Sequence, residues 1–295
     1  MNNNYTFYLP KVPPVATLLI VHGMAEHQGR YQPFAQFLAN HGIAVLTFDH
    51  LGHGKPAQAS NTLGFMGNPQ PAELMIGHVM QHADRLAAAY PDMPQFILGH
   101  SMGSFLTRCL LGRFGQCFDG AILVGTSTHN PLASLFLPMT KTANRLAPRS
   151  RNRVFEKILN SVNNVPFRHE PNLEGFNWLN SSPERIKEYL ADPLCGFPFT
   201  NNGYYALMAL MEEGTGEHWA KNIAKTLPML FISGQDDPIG QMGKSIPKIV
   251  QNLNEQGFLH IAAKQYPGMR HEVLLEDDRQ QVYQDILDWL ASLES

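Results

Sequence analysis

The chain carries Gly99-His100-Ser101-Met102-Gly103, a serine between two near glycines, directly after the apolar run Phe96-Ile97-Leu98. A helix-forming stretch, residues 104–112, follows at once. A strand that turns sharply into a helix through G-x-S-x-G holds its serine on a strained elbow, with the hydroxyl lifted above the carboxyl end of a sheet. The glycines are needed because a Cβ at either position would meet the neighbouring strand or helix. The pentapeptide alone is common. Its place between strand and helix constrains the chain to a layered α/β architecture.

The rest of the chain repeats that alternation. Apolar runs at 16–21, 43–48, 95–98, 121–124, 229–232 and 259–265 read as strands, and 5–8 reads as a leading antiparallel strand. Helices are expected over 31–41, 71–90, 102–114, 242–254 and 277–293, the last with Val282, Ile286, Trp289 and Leu290 at helical spacing. This pattern predicts a mostly parallel, doubly wound sheet covered on both faces. Between about 126 and 226 the alternation stops, and eight prolines from Pro131 to Pro198 punctuate the stretch. A compact domain does not hold a structureless loop of that length. Residues 127–226 are therefore expected to form a helical cap, over a core made of 1–126 and 227–295 and inserted after the sixth strand.

A serine hydroxyl needs a base, and the base needs an orienting group. The strand at 229–232 ends in Ser233-Gly234-Gln235-Asp236-Asp237-Pro238, which puts a carboxylate just past a strand terminus. The last strand leads to Tyr266-Pro267-Gly268-Met269-Arg270-His271-Glu272, where a histidine can reach back to Ser101. The first parallel strand runs into His22-Gly23-Met24-Ala25-Glu26-His27. A tetrahedral oxyanion needs about two preorganised N–H donors, each worth on the order of 3 kcal/mol. The backbone amides of Met24 and Met102 are the candidates. Such a site needs neither metal nor organic cofactor.

These loops together resemble the α/β-hydrolase superfamily, and within it the monoacylglycerol lipase and lysophospholipase group. The resemblance rests on His22 through Tyr31, on Asp49-His50-Leu51-Gly52-His53-Gly54, and on the loops around Ser101, Asp237 and His271. The ten-residue loop from His22 is its most discriminating piece. The resemblance implies the chain order Ser101, Asp237, His271 for the triad, with Asp237 rather than Asp236 as the acid. It also implies an acyl-enzyme route to hydrolysis of a monoacylglycerol- or lysophospholipid-like ester. One departure is Lys55-Pro56, where relatives commonly have Arg or Gln before a serine. A serine aminopeptidase would use the same triad. It would need a carboxylate in or under the cap for a free α-amine, and Glu170, Glu174, Asp192, Glu212 and Glu213 are available. A non-catalytic ligand-binding α/β-hydrolase fold is the rival from another class. Epoxide hydrolase and dehalogenase chemistry is disfavoured, since those relatives place an aspartate where Ser101 stands.

Charge and composition narrow the partners. The net charge of −3 gives no support to nucleic-acid binding, whereas 139–168 holds seven basic residues and a single acidic one, Glu156. The apolar run 131–139 precedes it, and Leu135, Phe136 and Leu137 are the expected walls of an acyl pocket. An apolar segment beside a basic one suits weak contact with an anionic lipid surface, although a solvated face over a closed pocket is the simpler and favoured reading. His78 and His82 have i, i+4 spacing, but no further ligand completes a metal site, and a solvated helix face is expected. Cys109, Cys117 and Cys195 read as free thiols of a reducing compartment. With no signal-like start and no run of about 18 apolar residues, a cytoplasmic location is the expectation.

Overall fold

A computed structural model of the chain describes residues 4–293. Seven strands, β1 (Tyr5–Tyr8), β2 (Ala16–Val21), β3 (Ile43–Phe48), β4 (Gln95–His100), β5 (Gly120–Val124), β6 (Met229–Gly234) and β7 (Ile261–Tyr266), form one sheet in the order β1-β3-β2-β4-β5-β6-β7. β1 pairs antiparallel with β3, and the other pairings are parallel. After β3 the chain crosses to the other side of β2 to enter β4. Open α/β sheets bind ligands at the carboxyl ends of strands beside such a reversal.

Five helices cover the sheet within its N-terminal half or close it at the end: α1 (Gln32–Asn40), α2 (Gly54–Ala59), α3 (Pro71–Ala89), α4 (Met102–Phe114) and, after the helices described below, α10 (Arg279–Ala291). All residues of β2, β3, β5 and β6 are buried, and their side chains alternate between two cores. Leu18 and Ile20 pack with Phe34 and Leu38 of α1 and with Val282, Ile286 and Leu290 of α10. Leu19 and Val21 face the opposite way, toward Val79 and Leu86 of α3 and Phe105 and Leu106 of α4. That is why these strands read as unbroken apolar runs. Each such side chain stabilises the fold by about 1.5–3 kcal/mol.

Between β5 and β6 lie α5 (Pro131–Leu146), α6 (Arg153–Asn164), α7 (Pro183–Ala191) and α8 (Asn201–Thr215). α9 (Ser245–Glu255) joins β6 to β7. The helical stretch thus follows the fifth strand and not the sixth, because one antiparallel strand alone precedes the parallel run among the described residues. α8 lies along α4 and α3 as well as α5. A Cβ at Gly214 would stand 2.5 Å from the Phe105 carbonyl oxygen, so the end of this stretch is seated on the core helices. Pro138 lies inside α5 rather than at its boundary.

Other boundaries move for local reasons. The last strand starts at Ile261 because Leu259 is 67% exposed and bonds instead to the Lys225 carbonyl. The helix expected from 242 begins at Ser245, since Gln241, Met242 and Gly243 all have positive φ. His78 and His82 do not form a solvated face. His82 is buried with its ring stacked 4.2 Å from that of Phe48, and His78 meets the same ring edge-on.

Candidate active site

β4 ends at His100 and α4 begins at Met102, which leaves Ser101 alone at the turn. Its backbone has φ 53° and ψ −119°, a strained conformation costing of order 1–3 kcal/mol. The surrounding structure holds it there. Ser101 N–H donates to the Val124 carbonyl at 2.9 Å, and its own carbonyl accepts from Ser104 Oγ at 2.6 Å. The two glycines permit the close packing: a Cβ on Gly99 would fall 2.4 Å from the Gly103 oxygen, and one on Gly103 would fall 2.1 Å from the Val21 oxygen.

Asp237 follows β6 and His271 follows β7, and the sheet order brings them together. His271 Nδ1 and Asp237 Oδ2 are 3.0 Å apart, with Asp237 wholly buried and His271 1% exposed. The other Asp237 oxygen accepts from Ile239 N–H at 2.9 Å. Nδ1 therefore donates, and Nε2 is the acceptor. That nitrogen is buried without a hydrogen-bond partner among the described residues. Ser101 and His271 line one cavity. The adjacent Asp236 is not part of this pair; its N–H bonds to the Met269 carbonyl.

Three buried histidines shape the loop after β2. His22 Nδ1 donates to the Gly23 carbonyl at 2.9 Å and its Nε2 accepts from His50 N–H at 3.1 Å. His50 Nε2 donates back to the His22 carbonyl at 3.1 Å. His53 Nε2 accepts from Ala25 N–H at 3.2 Å. Burial holds all three rings neutral: His22 is lowered, His50 lies well below the usual imidazole range and His53 falls to about 3. The loop backs directly onto the elbow, since a Cβ on Gly23 would lie 3.1 Å from Ser101 Cβ. Among the described residues the Met24 and Met102 amides donate to no protein acceptor, and both residues line the cavity. Asp49 supports the loop by accepting Gln28 N–H at 2.9 Å.

Sequence reasoning did not find the charged group beneath this loop. Glu26, 2% exposed, accepts from Gly23 N–H at 2.5 Å, Tyr31 O–H at 2.8 Å, Arg30 at 2.8 Å and His100 Nδ1 at 3.1 Å. Arg30 also grips Glu272 with two bonds of 2.6 and 2.9 Å. Burial alone would raise the Glu26 carboxyl, but the His100 hydrogen bond and the Arg30 and His100 charges hold it well below the usual range. Against its own burial, His100 is raised by the same partner. The cluster thus supports Gly23, next to Met24, and Glu272, next to His271. The His100 ring also tilts against that of His271 at 5.0 Å. Glu26 and Arg30, opposite charges four residues apart in one loop, were the available signal.

The cavity is walled mostly by apolar side chains, among them Phe105, Phe136, Leu159, Trp178, Leu207, Met208 and Met211. Of the three predicted wall residues, Phe136 lines it. Leu135 is 60% exposed and Leu137 packs against the core instead. Successive residues on a helix are rotated by about 100°, so three in a row cannot share a face.

The profile of the serine aminopeptidase S33 family matches residues 12–278, nearly the whole span from before β2 to the start of α10. The chain belongs to that family. This S33 member is 25% identical to a monoacylglycerol lipase of Mycolicibacterium smegmatis over 98% of its own length and 92% of that protein's. It is 24% identical to the monoglyceride lipase of Rattus norvegicus, across 92% of this chain and 83% of the other. Among solved structures, a thermostable carboxyl esterase from Bacillus coagulans, bound to glycerol, superposes with a TM-score of 0.91 at 29% identity, over 99% of this chain and 94% of that one.

Proposed function

We propose that the protein is a carboxylic ester hydrolase of the monoacylglycerol lipase type, with Ser101 as nucleophile, His271 as general base and Asp237 as its orienting acid. The observation that carries this reading is the buried Asp237–His271 pair, with His271 Nε2 unpaired among the described residues and His271 lining the same cavity as Ser101. As Ser101 Oγ attacks the ester carbonyl, its proton passes to His271 Nε2, and Asp237 stabilises the imidazolium. The Met24 and Met102 amides receive the oxyanion. His271 then gives that proton to the leaving alcohol, and in the second half removes one from the water that cleaves the acyl-enzyme.

The apolar walls suit an acyl chain, and the relatives named monoacylglycerol lipases favour a glycerol-type leaving alcohol. A lysophospholipid presents the same bond. The aminopeptidase reading is weaker: none of its five candidate carboxylates lines the cavity, and Glu156 of α6, which does line it, is pushed by burial toward its neutral form. Glu170 is paired with Arg270, Asp192 with His27, Glu213 with Arg113 and Glu212 with His129. The two acids beside the serine, Glu26 and Glu272, are both ion-paired with Arg30.

Residues 127–226 act as a cap in this reading. On α6, Val154, Ile158 and Val162 are exposed, as are Leu135 and Met139 on α5, beside Lys141, Lys157 and Arg153. Ile158 and Val162 also line the cavity. An apolar, basic mouth of this kind favours weak contact with an anionic lipid surface. Among the described residues no helix is long and apolar enough to cross a membrane. Three free thiols, one of them exposed, fit a reducing, cytoplasmic setting.

Labelling with a fluorophosphonate probe, followed by peptide mass spectrometry, tests the assignment. The expected adduct is on Ser101 and is lost in His271→Ala. Ser101→Ala is expected to lower turnover of p-nitrophenyl esters by about 10⁴–10⁶-fold with an unchanged melting temperature. An unlabelled, folded protein would point to the non-catalytic reading, and faster cleavage of amino-acid p-nitroanilides than of esters would point to the aminopeptidase.

A further inference from the structure

Outside the cavity, where the loop after β2 meets the cap, His27, Asp192 and Cys195 bring one nitrogen, one oxygen and one sulfur within 4.8 Å of one another. His27 lies three residues beyond Met24. Asp192 ends α7, and Cys195 follows in a turn closed by its N–H to the Asp192 carbonyl at 3.0 Å. His27 Nε2 and Asp192 Oδ2 are 2.9 Å apart, and the second Asp192 oxygen is fixed by Leu194 N–H at 2.8 Å. Cys195 is buried, and its burial pushes the thiol well up, so it is present as S–H. The same turn already grips the loop. The Ala25 carbonyl accepts from Gly196 N–H at 2.9 Å and from Tyr189 O–H at 3.0 Å.

A mixed imidazole, carboxylate and thiol set is the donor chemistry of zinc and similar borderline cations, whereas calcium and magnesium take oxygen. We propose that His27 Nε2, Asp192 Oδ2 and Cys195 Sγ form a three-ligand site for a zinc-like divalent cation, with water in the fourth position, whose occupancy pins the cap to the loop that carries Met24. In a tetrahedral zinc site neighbouring ligand atoms stand roughly 3.3–3.6 Å apart, so on binding the sulfur closes by up to about 1.5 Å while the His27–Asp192 pair, now 2.9 Å apart, opens slightly. The protons balance simply. The thiol proton leaves to solvent and the His27 proton moves from Nε2 to Nδ1, so one proton is released per cation. Thiolate and carboxylate together neutralise the cation's charge. The nearby Arg30 does not oppose it strongly, being paired with Glu26 and Glu272. Once Nδ1 carries a proton it no longer accepts from Gly29 N–H, a 3.2 Å contact that caps the short turn Gln28–Tyr31. Binding therefore reaches the loop by two routes, the ring and the contracted cap turn.

The test reads binding and not catalysis, so it is independent of the function proposed above. Cobalt(II) titrated into the metal-free, full-length protein is expected to develop a thiolate-to-cobalt charge-transfer band that saturates at one equivalent, with one proton released and zinc displacing it. Zinc is expected to raise the melting temperature. Cys195→Ala should lose the band and the shift in melting temperature, and Asp192→Asn should weaken affinity at least about tenfold. Circular dichroism of both metal-free variants checks that they fold; should Cys195→Ala not fold, Asp192→Asn decides alone. No band at one equivalent, or a band undiminished in the folded variants, would overturn the site.

Discussion

Glu26 has four donors on its two oxygens and almost no exposure. Removing one charge of such a buried cluster leaves its partners uncompensated, at a cost of about 3–5 kcal/mol. Glu26→Gln is therefore expected to lower the unfolding free energy by about that amount, read from urea denaturation. Arg30→Lys should lose part of the same stability, because an ammonium cannot hold both Glu272 oxygens and Glu26 in a planar fork. A Glu26→Gln protein as stable as the parent would show that the cluster is merely tolerated. At this scale the sequence is legible where a residue's position follows from its place after a strand. Ser101, Asp237, His271 and the Met24 and Met102 amides all lie at such places. The Glu26 cluster was not legible, because His100 lies 74 residues from Glu26, and Glu272 lies 242 residues from the Arg30 that links them. Only the closed sheet makes them neighbours.

α5 and α6 contribute Phe136, Ile158, Leu159 and Val162 to the wall of the cavity that Ser101 lines. Phe136 stands edge-on to Phe155 at 5.2 Å, and Phe155 in turn meets Tyr204 at 4.7 Å, so one aromatic row closes the side of the cavity. Phe136→Ala opens that row, while Leu135→Ala removes a side chain that faces solvent. On the proposed function, Phe136→Ala is expected to shift kcat/KM several-fold in favour of longer acyl chains, as a set of p-nitrophenyl esters of increasing length would register. Leu135→Ala should leave the profile as it was. Equal shifts in both variants would mean that the exposed face of α5 also touches substrate. The difference between these adjacent residues also shows what the sequence left open. Buried strands announce themselves by unbroken apolar runs, and β2 and β3 fall at their expected limits. A short amphipathic helix without a fixed partner has no such signature. Which face of α5 turns inward depends on α6 and α8, and nothing local to residues 131–146 specifies it.

Across the whole molecule, the interior holds an unusual number of neutral imidazoles. His22, His50 and His53 sit under the loop after β2, while His78 and His82 pack against Phe48. Burial is the main cause of their lowered pKa values, about 3 for His53 and His82 and about 4 for His78. Unfolded, each would titrate near 6.5. Their contribution to stability is therefore fully present above pH 6.5 and falls as the pH drops from there toward the folded values. Each such histidine steepens the decline by about 1.4 kcal/mol per pH unit. His100 works in the opposite sense. Its raised pKa, due to Glu26 and set against its burial, gives stability that is complete below 6.5 and is lost as the pH rises through the folded value. Glu26, held well below its usual range, contributes fully above its unfolded value of about 4.3 and loses that contribution as the pH falls from there to its folded value. For these groups the maximum lies somewhat above pH 6.5, with the steeper flank on the acid side. Urea unfolding free energies measured from pH 8 to pH 4.5 should trace that asymmetry. His82→Phe keeps a ring against Phe48 and removes one titrating group, so it should flatten the acid flank by about one proton, or about 1.4 kcal/mol per unit. The Arg85 guanidinium that donates to His82 Nδ1 at 2.7 Å remains over the Tyr5 ring in that variant, which separates the lost proton from a lost helix contact. An acid flank equally steep in His82→Phe would place the proton uptake at groups other than His82.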